Sequence, residues 1–138
     1  MDTVLTIAPH FPSPSDSADG QANYLTTIAP ILAEAANIQV HVVALRVGDQ
    51  AASEHGKGWS VLRVSPDKPL NDIFSLYLPE NLRPCLSTLK IAALNEAKAL
   101  GSHTPVWCHG YETGAIVESL SEAGHHVVGV MHYSVGVE

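Results

Sequence analysis

The residues of this chain best suited to chemistry fall in two short stretches, each directly after an apolar run. One is Val106-Trp107-Cys108-His109-Gly110-Tyr111-Glu112-Thr113; the other runs from Val127 to Met131 and continues His132-Tyr133-Ser134-Val135-Gly136. Imidazole titrates near neutral pH, so His109 and His132 can each bind a substrate hydroxyl, move a proton or stabilise charge on a reacting oxygen. His132 is the preferred catalytic candidate, because it directly follows a strand-like run and would leave the sheet edge pointing into a crevice. Tyr111, Glu112, Thr113 and Ser134 add hydroxyl and carboxylate groups for substrate contact. A third stretch, Asp19-Gly20-Gln21, sits where a helix should begin; backbone N–H groups there can face a phosphate or sugar, and Gly20 permits close approach.

Each of these residues also has a plainer reading. A histidine can be packed and satisfied by local backbone, Glu112 can favour the positive end of a helix, and Trp107 can be core. The turn at Gly20 can be an ordinary capped turn. Ser134 has no nucleophile context, since GxSxG is missing. The dinucleotide signature GxGxxG and the phosphate loop GxxxxGK[ST] are missing too. Eight histidines invite a metal reading, but His125-His126 are strand neighbours that point to opposite faces. Neither HExxH nor a Cys/His array occurs, so no metal site and no cofactor are assigned.

The elements that must position these residues alternate in type. A short apolar strand over 3–8 is stopped by Pro9 and Pro12, and a Pro/Ser/Asp loop then feeds a helix over 21–36. Leu25, Ile28, Ala29, Leu32 and Ala36 form its apolar stripe, while Pro30 should bend or split it. A second strand covers 40–47, nearly all apolar apart from His41 and Arg46, as a central parallel strand should be. Residues 48–58 read as a polar loop and 59–64 as a third strand. Prolines break up 65–83, although Ile73, Phe74, Leu76, Tyr77 and Leu78 are expected to be buried. A helix over 84–100 has Pro84 in its first turn, a stripe of Leu86, Leu89, Ala93, Ala97 and Leu100, and Gly101 as its cap. A fourth strand (105–108), a helix from about Thr113 to Ala123 and a last strand (126–131) follow.

This alternation predicts a three-layer α/β/α fold with an open, doubly wound parallel sheet of order 3-2-1-4-5. Right-handed crossovers would gather the loops holding Gly20, His109 and His132 at the C-terminal strand edge. The 138 residues suit one domain. The formal charge of −7 gives no global attraction to nucleic acid, and no run approaches transmembrane length. Cys85 and Cys108 are far apart and read as small buried hydrophobes; with no secretory leader, a cytoplasmic location is expected.

The order of these motifs resembles the N-terminal half-domain of retaining GT-B glycosyltransferases, of the large family 4-like group that includes glycogen and sucrose-type synthases. The likeness lies in Val4-Leu5-Thr6-Ile7-Ala8-Pro9-His10-Phe11-Pro12, in Asp19-Gly20-Gln21, and in Ile38-Gln39-Val40-His41-Val42-Val43-Ala44, similar to a HEVHVVT-like strand. His109 and Thr113 match the second histidine and the threonine of a HAHDxxT pattern, with Trp107 and Gly110 standing in place of its first histidine and its aspartate. His132 matches the histidine of a later strand ending TxH. One glycine occupies a first turn that often has two.

The resemblance implies the N-terminal part of a two-domain Rossmann-like enzyme that transfers a sugar from a nucleotide sugar to an acceptor with retention. It implies His132 near the transfer point, Gly20 near donor phosphate or acceptor, and His109 shaping the acceptor side, with no catalytic metal. A second domain, with an acidic E-x7-E motif, would bind most of the donor, and nothing in this chain matches it. The segment by itself is expected to be inactive and to self-associate through its last strand, which lacks following elements to cover it. Two other readings stay open: a complete small α/β enzyme of other chemistry, and a noncatalytic ligand-binding or regulatory domain.

Overall fold

The computed structural model describes residues 2–13 and 20–130. Six strands form one sheet in the order β3-β4-β2-β1-β5-β6. In chain order the elements are β1 (Asp2–Ile7), α1 (Gly20–Ala36), β2 (Ile38–Leu45), β3 (Ser53–Gly56), β4 (Trp59–Val64), α2 (Pro79–Leu100), β5 (Val106–His109), α3 (Gly114–Glu122) and β6 (Val127–Val130), with short 3-10 turns at Ile73–Tyr77 and Tyr111–Thr113. All neighbouring pairs are parallel except β3 with β4. The five parallel strands follow the order predicted from the sequence. The added strand, β3, lies in the stretch assigned to a polar loop: Ser53–Gly56 carries no apolar run, and its pairing comes from the tight hairpin that returns into Trp59.

Two apolar layers flank the sheet. On one face Leu5, Ile7, Val43, Leu45, Val106 and Cys108 pack against α2 and α3 through Leu89, Ala93, Ala97, Ile116 and Leu120. On the other, Val4, Ala8, Val40, Val42, Ala44 and Val61 meet Leu25 and Ala29 of α1. The alternation along β1 therefore serves both faces, as a central parallel strand requires. His41 is a polar residue within β2; its Nδ1 meets Ser60 Oγ at 2.8 Å and its Nε2 meets Glu96 Oε2 at 3.2 Å. Cys85 and Cys108 are free and buried.

Several helix details differ from expectation. Pro30 does not split α1, which runs unbroken to Ala36. The lost hydrogen bond and ring clash cost about 3 kcal/mol, offset by burying Leu25 and Ala29 at about 25 cal/mol per Å². Ala36, assigned to the stripe, is exposed. α2 begins at Pro79, so Pro84 lies within it and not in its first turn. The reason is the preceding 3-10 turn: Asp72 caps it at Ser75 N, and Asn81 Nδ2 donates to Ser75 O at 2.8 Å, which winds the chain directly into the helix. Of the apolar side chains in this region, Leu76 is buried, but Phe74, Tyr77 and Leu78 stand 81%, 46% and 47% exposed. That is a correction for three of the five: only Leu76 and the half-buried Ile73 turn toward the core, and α2 already fills the layer beneath.

The β3–β4 hairpin turns at Lys57-Gly58, where Gly58 has φ +81° and a Cβ would come within 2.5 Å of Ala29 O. Its carbonyl accepts from Val40 N at 2.9 Å. Both a left-handed backbone and contact with α1 thus require glycine here. Gly58→Ala is expected to destabilise the fold by about 2–4 kcal/mol, read as a fall in the urea midpoint at unchanged m-value. A loss under half a kilocalorie would show that α1 can move away freely.

Candidate functional site at the strand C-termini

Parallel strands joined by right-handed crossovers deliver their following loops to one sheet edge. The loop after β1 is held tightly. Ala8 N donates to Val43 O and Leu45 N to Pro9 O, both at 3.1 Å, so the chain stays strand-like beyond β1. Phe11 is fully buried, its ring 5.0 Å from that of Trp59. The Phe11 carbonyl accepts from Arg63 Nε at 3.1 Å, from Arg63 Nη2 at 2.9 Å and from Gln50 Nε2 at 3.3 Å. Arg63 Nη1 also reaches Ala51 O and the Glu54 carboxylate, and Glu54 accepts from Ser13 Oγ. A guanidinium only 2% exposed is thus spent on fixing residues 11–13 and the β3 strand.

The loop after β5 is equally compact. His109 is fully buried. Gly110, at φ +92°, donates to Val130 O at 3.0 Å and so ties the ends of β5 and β6 together. A Cβ there would lie 2.8 Å from Glu112 Oε1, so the glycine is needed both for its dihedral and for its space. Thr113 is buried and donates through Oγ1 to Gly110 O at 2.7 Å, closing the turn that starts α3. Glu112 Oε1 accepts from Tyr77 OH at 3.2 Å, which bridges this loop to the 3-10 turn after β4. Its Oε2 is buried and has no hydrogen-bond partner among the described residues. Glu112 therefore braces a tyrosine.

Of the residues singled out in the sequence, Gly20 and Gln21 open α1, His109 ends β5, and Glu112 and Thr113 follow it, all at the same edge. Tyr111 starts the 3-10 turn, and its side chain lies outside the description, as does that of Gln21. Asp19, His132 and Ser134 lie outside the described residues; β6 ends at Val130, two residues before His132. Burial pushes the Cys108 thiol up to about 12, so it stays protonated at neutral pH and is no nucleophile. Among the described residues no three His, Cys, Asp or Glu side chains gather as a metal-binding group.

The sequence reading missed the other half of this edge. His10, Val47, Gly48, Asp49, Gln50, Asn71, Asp72, Ile73 and Phe74 line a hollow of about 300 Å³ beside the β1 loop. A larger hollow, about 570 Å³, opens at the opposite edge near Asp2, Ile38, His103 and Pro105, away from every loop just described. The smaller one is the better candidate, because ligands of open α/β sheets sit outside the strand C-termini. Arg63 had a legible signal: it is the one charge on the inward positions Trp59, Val61 and Arg63 of an alternating strand. The hollow had none, since its walls come from three separate loops.

No protein-family model matches the sequence, and no curated protein sequence matches it significantly. Solved structures do match the fold. Sucrose-phosphate synthase from Thermosynechococcus elongatus superposes with a TM-score of 0.71 at 17% identity, over 96% of this chain and 33% of that one. Trehalose-6-phosphate synthase superposes with a TM-score of 0.60 at 12% identity, over 96% and 34%. An Escherichia coli structure described as trehalose-6-phosphate bound with UDP-2-fluoro glucose gives 0.53 at 12%, over 95% and 33%. The fold is therefore a Rossmann-like α/β/α half-domain of the GT-B type. The chain spans about a third of the length of these neighbours.

Removing Arg63 should loosen the whole β1 side of the edge. Arg63→Ala is expected to cost about 3–5 kcal/mol, since it strips a buried ion-pair partner and leaves the Phe11 carbonyl short of donors. Hydrogen exchange should rise at residues 8–13 and 53–56 before the rest of the sheet. Uniform exchange with an unchanged urea midpoint would show that the network holds nothing in place.

Proposed function

We propose that this chain forms the acceptor-side half of a glycosyltransferase that transfers a sugar from a nucleotide sugar to an acceptor with retention. The observation that carries the reading is the gathering of the β1 loop, the start of α1 and the β5 loop at one edge of a GT-B-type sheet. One neighbour in fold is a structure bound with UDP-2-fluoro glucose, which supports a nucleotide sugar as donor. In the reaction the bond from the anomeric carbon to the nucleotide phosphate breaks and a bond to an acceptor oxygen forms, the acceptor proton leaving with the diphosphate. We assign His132 to the donor sugar at the transfer point, and the start of α1 at Asp19, Gly20 and Gln21 to donor phosphate or acceptor. The 109–113 turn (His109, Tyr111, Glu112, Thr113) and Ser134 would shape the acceptor side.

A second, donor-binding domain would close the crevice, and this chain would be the N-terminal part of that enzyme. A cytoplasmic setting belongs to the same proposal; it is supported by two free cysteines and by the lack, among the described residues, of a helix long and apolar enough to cross a membrane. Among the described residues β6 is an edge strand with Val128 45% exposed, which favours self-association. Light scattering should give a mass that rises with concentration; a constant monomer mass would refute association through this edge.

Catalysis needs both substrates held together in a closed site. The purified 138-residue chain is therefore expected to release no product from UDP-glucose, ADP-glucose or GDP-mannose with simple sugar acceptors. Transfer at about 1 s⁻¹ or faster, abolished by His132→Ala, would overturn the half-site reading.

A further inference from the structure

The hollow beside the β1 loop combines three kinds of wall. Phe74 sets an aromatic ring, 81% exposed, at its rim. Asn71 and Asp49 are exposed and make no hydrogen bond or ion pair with the described residues, which leaves an amide and a carboxylate available to a ligand. Gln50 is different: its amide is consumed by Val47 N and Phe11 O, so it forms fixed wall. Asp72 spends Oδ1 on Ser75 and keeps its second oxygen. An apolar face with a few convergent polar groups is the usual make-up of a small-ligand pocket, and this volume sits at the lower end of the range of about 300–1,000 Å³. A single sugar ring suits it, with its C–H face on Phe74 and its hydroxyls on Asp49, Asn71 and Asp72.

The charge of this edge selects among sugars. Among the described residues no Lys or Arg lines the hollow. The loops after β2 and β4, which wall it, carry Asp49, Asp67 and Asp72 against Arg46 and Lys68, and Arg46 Nε is taken by Gln50 O at 2.6 Å; Arg83 and Lys90 line a separate hollow of about 510 Å³ together with Glu112. A phosphate entering here meets like charge and finds no guanidinium fork to hold it. We propose that the acceptor is an uncharged or amine-bearing polyol and not a sugar phosphate, an inference that rests on the acceptor-side reading above.

The test is a titration of the ¹⁵N-labelled 138-residue chain with glucose, glucosamine and glucose 6-phosphate at constant ionic strength, following the amides of Gly48, Asp49, Gln50, Asn71 and Phe74. Each unit charge about 7 Å from a carboxylate changes surface binding about two- to threefold. Glucosamine is therefore expected to bind at least about tenfold tighter than glucose 6-phosphate, with glucose between. Asp49→Asn should shrink that gap severalfold, whereas Phe74→Ala should weaken all three sugars alike. Glucose 6-phosphate binding at these amides as tightly as glucosamine would overturn the inference and leave the acceptor-side reading standing. If none of the three sugars shifts these amides, both fall.

Discussion

The guanidinium of Arg63 is the constraint on which the upper edge of this sheet depends. A charge buried to 2% exposure is tolerable only if its donors are met, and three separate stretches supply the acceptors: Phe11 O, Ala51 O and the Glu54 carboxylate. Each stretch would otherwise be surface loop. The need to satisfy one cation thus draws β3 onto the sheet and fixes the path of the chain from Pro9 to Ser13. Phe11 then closes the α1 layer by packing on Trp59. A hydrophobe at position 63 would fill the same layer and leave the β1 loop without its anchor.

The second constraint is close approach. α1 lies so near the β3–β4 hairpin that only glycine fits at position 58, and the ends of β5 and β6 are joined through Gly110 N and Val130 O. The first contact fixes α1 in relation to β4. The second keeps the β5 turn and the end of β6 at one level. Between them, Tyr77 and Glu112 link the loops after β4 and β5.

The fold neighbours show how little of this depends on shared sequence. At 12–17% identity the strand order and layers persist over nearly the whole chain. Apolar runs of the right period suffice for that, since a parallel sheet covered on both faces asks only for Val, Ile, Leu and Ala at most strand positions. The loops bear no such requirement. Here they carry an acidic, amide-rich rim with an exposed phenylalanine, and the chemical character of the edge rests on them.

The sequence by itself determined the five parallel strands, their order and the edge at which His109 and the start of α1 meet. Period and punctuation encode those features locally, and handedness leaves one topology. It also placed Cys85 and Cys108 in the core. Tertiary structure decided the rest. β3 exists because Glu54 is wanted by Arg63 and because Gly58 turns the hairpin, neither of which shows as an apolar pattern. α2 starts five residues earlier than Pro84 suggests because Asn81 and the capped turn at Asp72 outweigh a missing N–H. Phe74 faces out because α2 occupies the layer beneath it, so a side chain that looked like core became the rim of a pocket. These are contacts between residues distant in the chain, and no local window of sequence contains both partners.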